Sequence, residues 1–361
     1  MSHQKLTLVT TLAIALGTAV LAAHAQDKMY FTGNGNGPDK IRRANLDGRK
    51  KEDLVVGLGA PGGIALDTAG GKMYWTNSGK VQRADLDGSS VETIVAGLGF
   101  PKGITVDPGG GKVYWTDSGT HKIQRANLDG SNVEDLVTSG LNAPVAITLD
   151  LGAGKMYWTD INTDKIQRAN LDGSNVEDLL VADGGDIALD TGAGKMYWIS
   201  GHNIQRADLD GSNVEVIVTG LRWGKGIALD LGAGKMYWAD CLANKIQRAN
   251  LDGSNIENLI NHGLDTKMKI ALDLGPGGCN GDERIKKAKC KTRKGKVKKY
   301  LVKVKNTTAG VEYTAALDTG QTERNTAGKS VTFKFKGGNA PPCGPNGVTV
   351  CGKHRDGDCD C

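Results

Sequence analysis

Residues 112–131 read Lys-Val-Tyr-Trp-Thr-Asp-Ser-Gly-Thr-His-Lys-Ile-Gln-Arg-Ala-Asn-Leu-Asp-Gly-Ser, and close copies of this stretch recur along most of the chain. Each copy has at its centre a tetrad that begins with a tyrosine, at Tyr30, Tyr74, Tyr114, Tyr157, Tyr197 and Tyr237. Successive tyrosines are roughly 40 residues apart, which is the length of a four-stranded propeller blade. The spacing therefore predicts a repeat protein with one blade per copy.

One copy shows how such a blade is built. Residues 103–107 and 112–117 are short apolar segments separated by a glycine turn, and 112–117 is apolar on both faces, as a strand between two layers requires. Residues 122–128 predict a third strand. The turn Asp129-Gly130-Ser131 leads into a more polar fourth strand at 133–137, which is typical of an outer edge. No segment shows a sustained helical period, so the fold class is all-β.

The two ends of the repeat array are complementary. The first copy opens directly at residues 28–30, without a leading strand, and the last copy consists of a leading strand alone, at 270–273. Together these two pieces make one complete blade. The sequence therefore predicts a six-bladed β-propeller that is closed by pairing its first and last strands.

The tetrads, the Lys-Ile-Gln-Arg-Ala-Asn-Leu-Asp-Gly-Ser segments and the Pro-x-Gly-Ile lead-ins closely resemble the YWTD, or class B, repeats of low-density lipoprotein receptors. The resemblance covers about residues 28–274. It implies a six-bladed propeller and an extracellular protein-binding platform. The chain shows no cysteine-rich ligand-binding modules, no growth-factor-like modules and no membrane span, so an endocytic receptor function is not expected. Gly33 and Ser200 replace the tetrad aspartate in two blades.

The start of the chain has the pattern of a secretory signal. A short polar start with Lys5 is followed by an apolar run at 6–23 and by the small-residue site Ala23-His24-Ala25. A membrane anchor is the weaker alternative, because the cleavage site follows the run directly. We expect residues 1–25 to be a signal peptide, 26–275 to form the propeller, and the protein to be secreted, either extracellular or periplasmic.

Residues 279–361 differ in kind from the repeats. They carry 18 Lys and Arg against 8 Asp and Glu, a net charge of +10, whereas the whole chain has +5. Alternating apolar residues at 297–304, 311–317 and 331–335 predict strands of a small cysteine-rich β domain, for which an immunoglobulin-like sandwich is one arrangement. The basic run 284–305 suggests contact with a polyanion, either a cell-surface polysaccharide or the propeller's own acidic flank. The favoured interpretation is a solvated basic face that keeps a small domain soluble, and nucleic acid is not expected.

Cysteines are concentrated in this tail. Cys241 stands alone in the repeats, and six more follow: Cys279, Cys290, Cys343, Cys351, Cys359 and Cys361. In an exported chain this density indicates a disulfide framework, although close neighbours would also suit a metal site. Six cysteines allow 15 pairings, among which the sequence does not choose.

The repeats also predict where a ligand binds. The turns between strands 1 and 2 and between strands 3 and 4 are near copies, whereas the loops between strands 2 and 3 and between blades differ in every copy. A rigid scaffold that displays varied loops is a common form of binding surface. The candidate residues on the varied loops are Phe100, Lys102, His121, Asn142, Asp183, Asp186, His202, Arg222, Trp223, Lys225 and Lys267. Two interpretations stay open for Trp223: it is an interface anchor flanked by Arg222 and Lys225, or it packs under its own loop or plugs the channel mouth.

Catalytic motifs are missing from the sequence: there is no G-x-S-x-G elbow and no H-E-x-x-H. We therefore expect a binding protein for a protein or glycan, without a catalytic set, a metal site or a cofactor. The enzymatic alternative is a lactonase-like hydrolase with calcium in the central channel, for which Asn77, Asn142, Asp183 and Asp186 offer oxygens. A purely structural role in an envelope layer is a third hypothesis.

Six aspartates recur before the turn between strands 1 and 2, at Asp67, Asp107, Asp150, Asp190, Asp230 and Asp273. A ring of carboxylates near a channel can hold a cation. The favoured interpretation is that each aspartate caps the glycine turn after it, because every blade has the same residue before the same turn.

Overall fold

The computed structural model describes residues 27–35, 37–264 and 268–274, and the backbone of six strands within 284–353. All regular secondary structure in these residues is β-strand. Residues 28–273 form six four-stranded antiparallel sheets, each of which is one blade. The predicted all-β, six-bladed propeller is confirmed.

The strands are numbered in chain order. Blade 1 contains β24 (Ile270–Asp273), β1 (Lys28–Gly35), β2 (Gly37–Asn45) and β3 (Glu52–Leu58). Blade 2 contains β4 (Pro61–Asp67), β5 (Lys72–Asn77), β6 (Lys80–Asp85) and β7 (Glu92–Ala96). Blade 3 contains β8 (Pro101–Asp107), β9 (Lys112–Asp117), β10 (Lys122–Asn127) and β11 (Glu134–Val137).

Blade 4 contains β12 (Pro144–Asp150), β13 (Lys155–Asp160), β14 (Lys165–Asn170) and β15 (Glu177–Val181). Blade 5 contains β16 (Ile187–Asp190), β17 (Lys195–Ser200), β18 (Asn203–Asp208) and β19 (Glu215–Val218). Blade 6 contains β20 (Gly224–Asp230), β21 (Lys235–Asp240), β22 (Lys245–Asn250) and β23 (Glu257–Ile260).

The ring closes as the repeat phase predicts. β1 pairs antiparallel with β24, with Lys28 opposite Asp273 and Phe31 opposite Ile270. Strands from the two ends of the array thus share one sheet. Closure leaves no unpaired inner edge at the seam.

The core lies between neighbouring blades, and the tetrads build it. The tetrad tryptophan of each blade packs with the tetrad tyrosine of the blade before it, as Trp115 does with Tyr74. At the closing seam the same position is taken by Phe31, which packs with Tyr237. All of these aromatic side chains are at most 2% exposed, which explains why the second strand is apolar on both faces.

The Asp-Gly-Ser turns form a second contact at each seam. In blade 3, Gly130 has φ 85. A Cβ on this residue would lie 2.0 Å from the carbonyl oxygen of Ile94 in blade 2. The third-strand arginine holds the opposite seam, because Arg125 donates to the carbonyl of Leu171 in blade 4 at 3.0 Å. Glycine is therefore required at position 130 both for its positive φ and for the close approach of blades 2 and 3.

The tail contains six further strands. β25 (Arg284–Arg293), β26 (Lys296–Lys305) and β29 (Ser330–Lys336) form one sheet, and β27 (Glu312–Leu317), β28 (Thr322–Thr326) and β30 (Val348–Lys353) form another. The predicted strands at 297–304, 311–317 and 331–335 coincide with β26, β27 and β29.

Several predictions fall on parts of the chain that the structure does not describe. The predicted signal peptide lies outside the described residues, and so do the cysteine side chains of the tail. The domain limits 26–275 and 279–361, the sandwich arrangement and the disulfide framework stay predictions. Nowhere in the described residues is there a helix with the length and apolar character that a membrane crossing needs.

Candidate binding face of the propeller

Antiparallel blades place their loops on two opposite faces. The turns between strands 1 and 2 and between strands 3 and 4 form what we call the uniform face. The loops between strands 2 and 3 and between blades form the variable face, which holds the candidate binding residues.

Capping explains the recurrent aspartates of the uniform face. Asp107 Oδ1 accepts the backbone N–H of Gly110 at 2.8 Å. Equivalent bonds are made by Asp67, Asp150, Asp190 and Asp230. The turn after Asp273 lies outside the described residues. The capping interpretation is confirmed for five of the six aspartates.

The tetrad aspartate holds the inter-blade loop of the variable face. The carboxylate of Asp117 is buried and accepts the backbone N–H groups of Gly99 at 2.8 Å and Phe100 at 2.7 Å. Burial raises the pKa of Asp117, but its bonds to backbone N–H groups outweigh burial and lower the pKa overall. An ionised, buried carboxylate therefore fixes the backbone from which Phe100 projects.

The same clamp occurs in blades 4 and 6. Asp160 accepts the N–H of Asn142 at 2.7 Å, and Asp240 accepts the N–H groups of Arg222 and Trp223, both at 2.9 Å. Three tetrad aspartates thus hold the backbone of four candidate binding residues. Sequence reasoning missed this role because the tetrad lies in the core strand, and only the fold brings its end against the preceding loop.

Two aromatic residues on the variable face each lie beside a lysine. Lys102 Nζ is 3.7 Å from the ring centroid of Phe100, and Lys225 Nζ is 4.3 Å from that of Trp223. Phe100 is 48% exposed. The pairs belong to blades 3 and 6, which are three blades apart in a ring of six and therefore lie on opposite sides of the channel.

The prediction that Lys102 and Lys225 belong to inter-blade loops is wrong. Both lie in inner strands, Lys102 in β8 and Lys225 in β20. The inner strand extends to this position because Pro101 and Gly224 still pair with the tetrad aspartates Asp117 and Asp240. The two lysines thus begin the strands that line the channel.

Trp223 combines the two roles that the sequence left open. Its side chain is half-buried against the cluster that contains Cys241 and Met268, so it packs under its own loop in part. The adjacent Arg222 is exposed. The structure therefore gives a fixed aromatic residue with a cationic residue on either side.

The remaining candidates are dispersed over the variable face. His121 is exposed, with φ 55, at a loop position where Asp164 and Asn244 have the same left-handed conformation. His202 Nδ1 lies 2.7 Å from the carbonyl oxygen of Leu221. Asn142 and Asp183 are exposed. Lys267 lies outside the described residues.

Asp186 differs from the other candidates because it lines the central channel, a cavity of about 320 Å³. Of the described lining residues, Asp186 alone is charged. Each blade contributes one isoleucine to the lining: Ile64, Ile104, Ile147, Ile187, Ile227 and Ile270. Asp186 Oδ1 lies 2.7 Å from Lys269 Nζ, and Oδ2 accepts the N–H of Ile227 at 3.0 Å.

The position before each channel isoleucine is small in four blades, at Gly63, Gly103, Ala146 and Gly226, and is Asp186 or Lys269 in the other two. A Cβ on Gly103 would lie 2.8 Å from the Cα of Ala146. Inner strands of neighbouring blades therefore approach closely here. The two charged residues sit where the other blades have almost no side chain.

Threonine links the inner strands at other seams. Thr76 Oγ1 accepts the N–H of Gly63 at 3.0 Å and donates to the carbonyl of Lys102 in the next blade at 2.6 Å. Ile199 and Ala239 replace this threonine in blades 5 and 6. The Asp186–Lys269 pair spans the two seams that lack this threonine, between blades 5 and 6 and between blades 6 and 1.

The comparisons with known proteins agree with this architecture. Three consecutive segments, 71–108, 111–151 and 154–190, match the family described as "Low-density lipoprotein receptor repeat class B". The protein is thus a β-propeller in which every blade has four strands and carries the aromatic tetrad in its second strand. Three consecutive segments of this propeller are therefore similar in sequence to the class B repeat of the low-density lipoprotein receptor.

Solved structures show the same fold. The chain is similar to one in the crystal structure of a nidogen/laminin complex, with a TM-score of 0.61 and 25% identity over 68% of this chain and 98% of that chain. It also resembles TolB from Acinetobacter baumannii, with a TM-score of 0.58 and 14% identity over 68% of this chain and 66% of that one, which bears on the fold alone. No curated protein sequence matches the chain.

Proposed function

We propose that this chain is an exported binding protein that recognises a protein ligand through the variable face, with Trp223 and its flanking cations as the anchor. The observation that carries the proposal is the clamp of Asp240 on Arg222 and Trp223. A buried carboxylate fixes the loop, so little ordering entropy is lost when a ligand contacts its side chains. Tryptophan and arginine are favoured interface anchors.

A protein ligand is favoured over a glycan by the comparison with the nidogen/laminin complex, which is a complex between proteins. The opposite aromatic pair, Phe100 with Lys102, gives a second contact across the channel mouth. Two separated aromatic anchors suit a ligand with an extended contact area better than a single small group. Basic residues beside both aromatic rings favour an acidic partner surface.

Affinity capture tests this proposal. The mature chain is immobilised, exposed to solubilised cell-surface and medium proteins from its source, and the retained proteins are identified by mass spectrometry. The Arg222→Ser/Trp223→Ser/Lys225→Ser variant should recover at least tenfold less of the specific ligand. Arg222→Glu/Lys225→Glu, which keeps the tryptophan side chain but reverses the charge beside it, should show the same loss.

The control is Val181→Ser, at a residue that is 82% exposed on the outer strand of blade 4. This variant should recover as much ligand as the native chain. Equal recovery by native chain and both anchor variants, with unchanged melting temperatures, would exclude this face as the binding site.

The calcium-dependent hydrolase draws no support from the site geometry. The amide of Asn77 accepts the N–H of Gly59 at 3.0 Å and donates to Gln82 at 2.8 Å, and Asp186 is paired with Lys269. Among the described residues, no three acidic, histidine or cysteine side chains are grouped so as to hold a metal. Calorimetric titration with calcium chloride and an ester and lactone panel test this alternative. Calcium binding with turnover that is lost on chelation would favour it over the binding proposal.

A further inference from the structure

The uniform face is acidic. Its repeating unit, as in blade 3, has Asp107, Asp129 and Glu134 against Lys112 and Arg125. The turn aspartate is exposed in every blade, at Asp47, Asp87, Asp129, Asp172, Asp210 and Asp252. Blade 1 is the exception, because Arg49, Lys50 and Lys51 follow its turn aspartate. Blades 2 to 6 thus present a surface with an excess of carboxylates.

The turn carboxylates stay ionised at neutral and mildly acidic pH. Hydrogen bonds from the hydroxyl and the backbone N–H of Ser131 lower the pKa of Asp129, and the equivalent serines lower the pKa values of Asp87, Asp172, Asp210 and Asp252. Both bonds are internal to the turn and leave the carboxylate exposed. A cationic partner therefore meets a fixed array of negative charges.

The first tail sheet, β25–β26–β29, has two different sets of alternate positions. Cross-strand pairs such as Lys287 with Lys303, and Lys299 with both Lys291 and Lys336, share one set. This set, which we call the lysine register, contains Lys287, Lys289, Lys291, Lys299, Lys303, Lys305, Lys334 and Lys336, together with Leu301, Ser330 and Thr332.

The other set is apolar. It contains Ile285, Ala288, Cys290, Tyr300, Val302, Val304, Val331, Phe333 and Phe335. The sheet is therefore amphipathic by register, with apolar and cationic residues at alternate positions. Like charges on neighbouring strands repel each other, and an anionic surface relieves this repulsion.

The propeller strand that precedes the tail in the chain ends on the uniform face. β24 runs towards the uniform face and ends at Asp273, opposite Lys28. Ten residues, 274–283, then lead to β25. A fully extended segment of this length spans at most about 35 Å. The lysine register is thus tethered beside the acidic face at an effective concentration on the order of millimolar.

We propose that the lysine register of the β25–β26–β29 sheet docks on the acidic uniform face of its own propeller, over blades 2 to 6. The occupant is the chain's own tail, because its charge is complementary and its tether begins on this face. The docked tail leaves the variable face open, so the inference does not depend on the proposed ligand. Salt weakens the contact because exposed ion pairs are screened.

Carbodiimide cross-linking of the full mature chain tests the proposal, because this reagent joins lysine to carboxylate without a spacer. At 50 mM sodium chloride, mass spectrometry should find links from Lys287, Lys289 or Lys291 to the turn aspartates of blades 2 to 6. Their yield should fall at least tenfold at 1 M sodium chloride. Links spread evenly over both faces, or links only between two copies of the chain, would overturn the proposal.

A competition measurement gives a second criterion. Asparagine at Asp129, Asp172 and Asp210 removes three charges but keeps the acceptor for the turn serine. If the lysine register docks on these aspartates, their removal frees the lysines for heparin. The triple asparagine variant should then bind a heparin oligosaccharide at least fivefold more tightly than the native chain. The matched control, Asp164→Asn/Asp183→Asn on the variable face, should bind like the native chain. Equal heparin affinity for all three proteins would show that the tail has no docking partner on the propeller.

Discussion

Asp186 and Lys269 form an ion pair, 2.7 Å from Oδ1 to Nζ, that joins blade 5 to blade 1 across the inner strand of blade 6. The second carboxylate oxygen accepts the N–H of Ile227 in blade 6. One side chain therefore contacts two further blades at the channel, at the two seams where Ile199 and Ala239 replace the bridging threonine. The pair is a local substitute for a repeated hydrogen bond.

Removal of one partner should destabilise the propeller. Lys269→Ala leaves the carboxylate of Asp186, whose side chain is 15% exposed, without its counter-ion. We expect a loss of about 2 kcal/mol in the free energy of unfolding, measured by urea denaturation. Asp186→Gly/Lys269→Gly restores the small residue of the other blades and should be more stable than Lys269→Ala. If the separate effects of Asp186→Gly and Lys269→Gly add up to the effect of the double variant, the two residues are not coupled.

The clamp of Asp117 should make stability depend on pH. Its pKa is lowered in the folded state, so its contribution is complete above the unfolded-state pKa and is lost as pH falls through the folded-state pKa. Asp117→Asn, which resembles the native Asn77 of blade 2, should flatten the fall of melting temperature with decreasing pH in the acidic range. An acid limb that is as steep as in the native chain would rule out this contribution.

Gly130 and Gly111 both have positive φ, but only Gly130 lies close to another blade. Substitutions at the two positions therefore separate the cost of a steric contact from the cost of backbone strain. Gly130→Ala places a methyl group against the carbonyl of Ile94, whereas Gly111, with φ 67, has nothing within 4 Å of an added Cβ. We expect Gly111→Ala to cost about 1 kcal/mol for backbone strain alone and Gly130→Ala to cost at least about 3 kcal/mol. Chemical denaturation of both variants measures the difference. Equal losses of unfolding free energy in the two variants would show that the contact with blade 2 is not the reason for glycine at position 130.

Cys241 should be unreactive in the folded protein. The residue is 5% exposed, and burial raises the pKa of its thiol. Site-resolved mass spectrometry after iodoacetamide treatment at pH 8 should find Cys241 modified at least a hundredfold more slowly than in urea-unfolded chain. Rapid modification without denaturant would show that the cluster around Trp223 opens.

Much of the candidate site follows from repeat comparison. Phe100 and Trp223 stand out because they occupy one equivalent position, in blades 3 and 6, where blades 2 and 4 have Ala60 and Ala143. The fold places both on the variable face. The clamps of Asp117, Asp160 and Asp240 were not predicted, because their partners lie 17 or 18 residues earlier, in the loop that leads into the same blade. His121 shows the opposite case. Its imidazole makes it a candidate binding residue by chemistry, but it occupies a turn position that is taken by Asp164 and Asn244 in other blades.

Repetition by itself determined the blade number, the strand order and the closing pair, because each blade must bury the same aromatic residues against the next and the complementary ends complete a sheet. Only the tertiary structure decided which polar side chains are already committed. Asp186 and Lys269 are 83 residues apart, and their contact exists only once the ring is shut. Asp240 accepts the N–H of Trp223, 17 residues earlier, because the folding of blade 6 brings the end of β21 against the loop before β20.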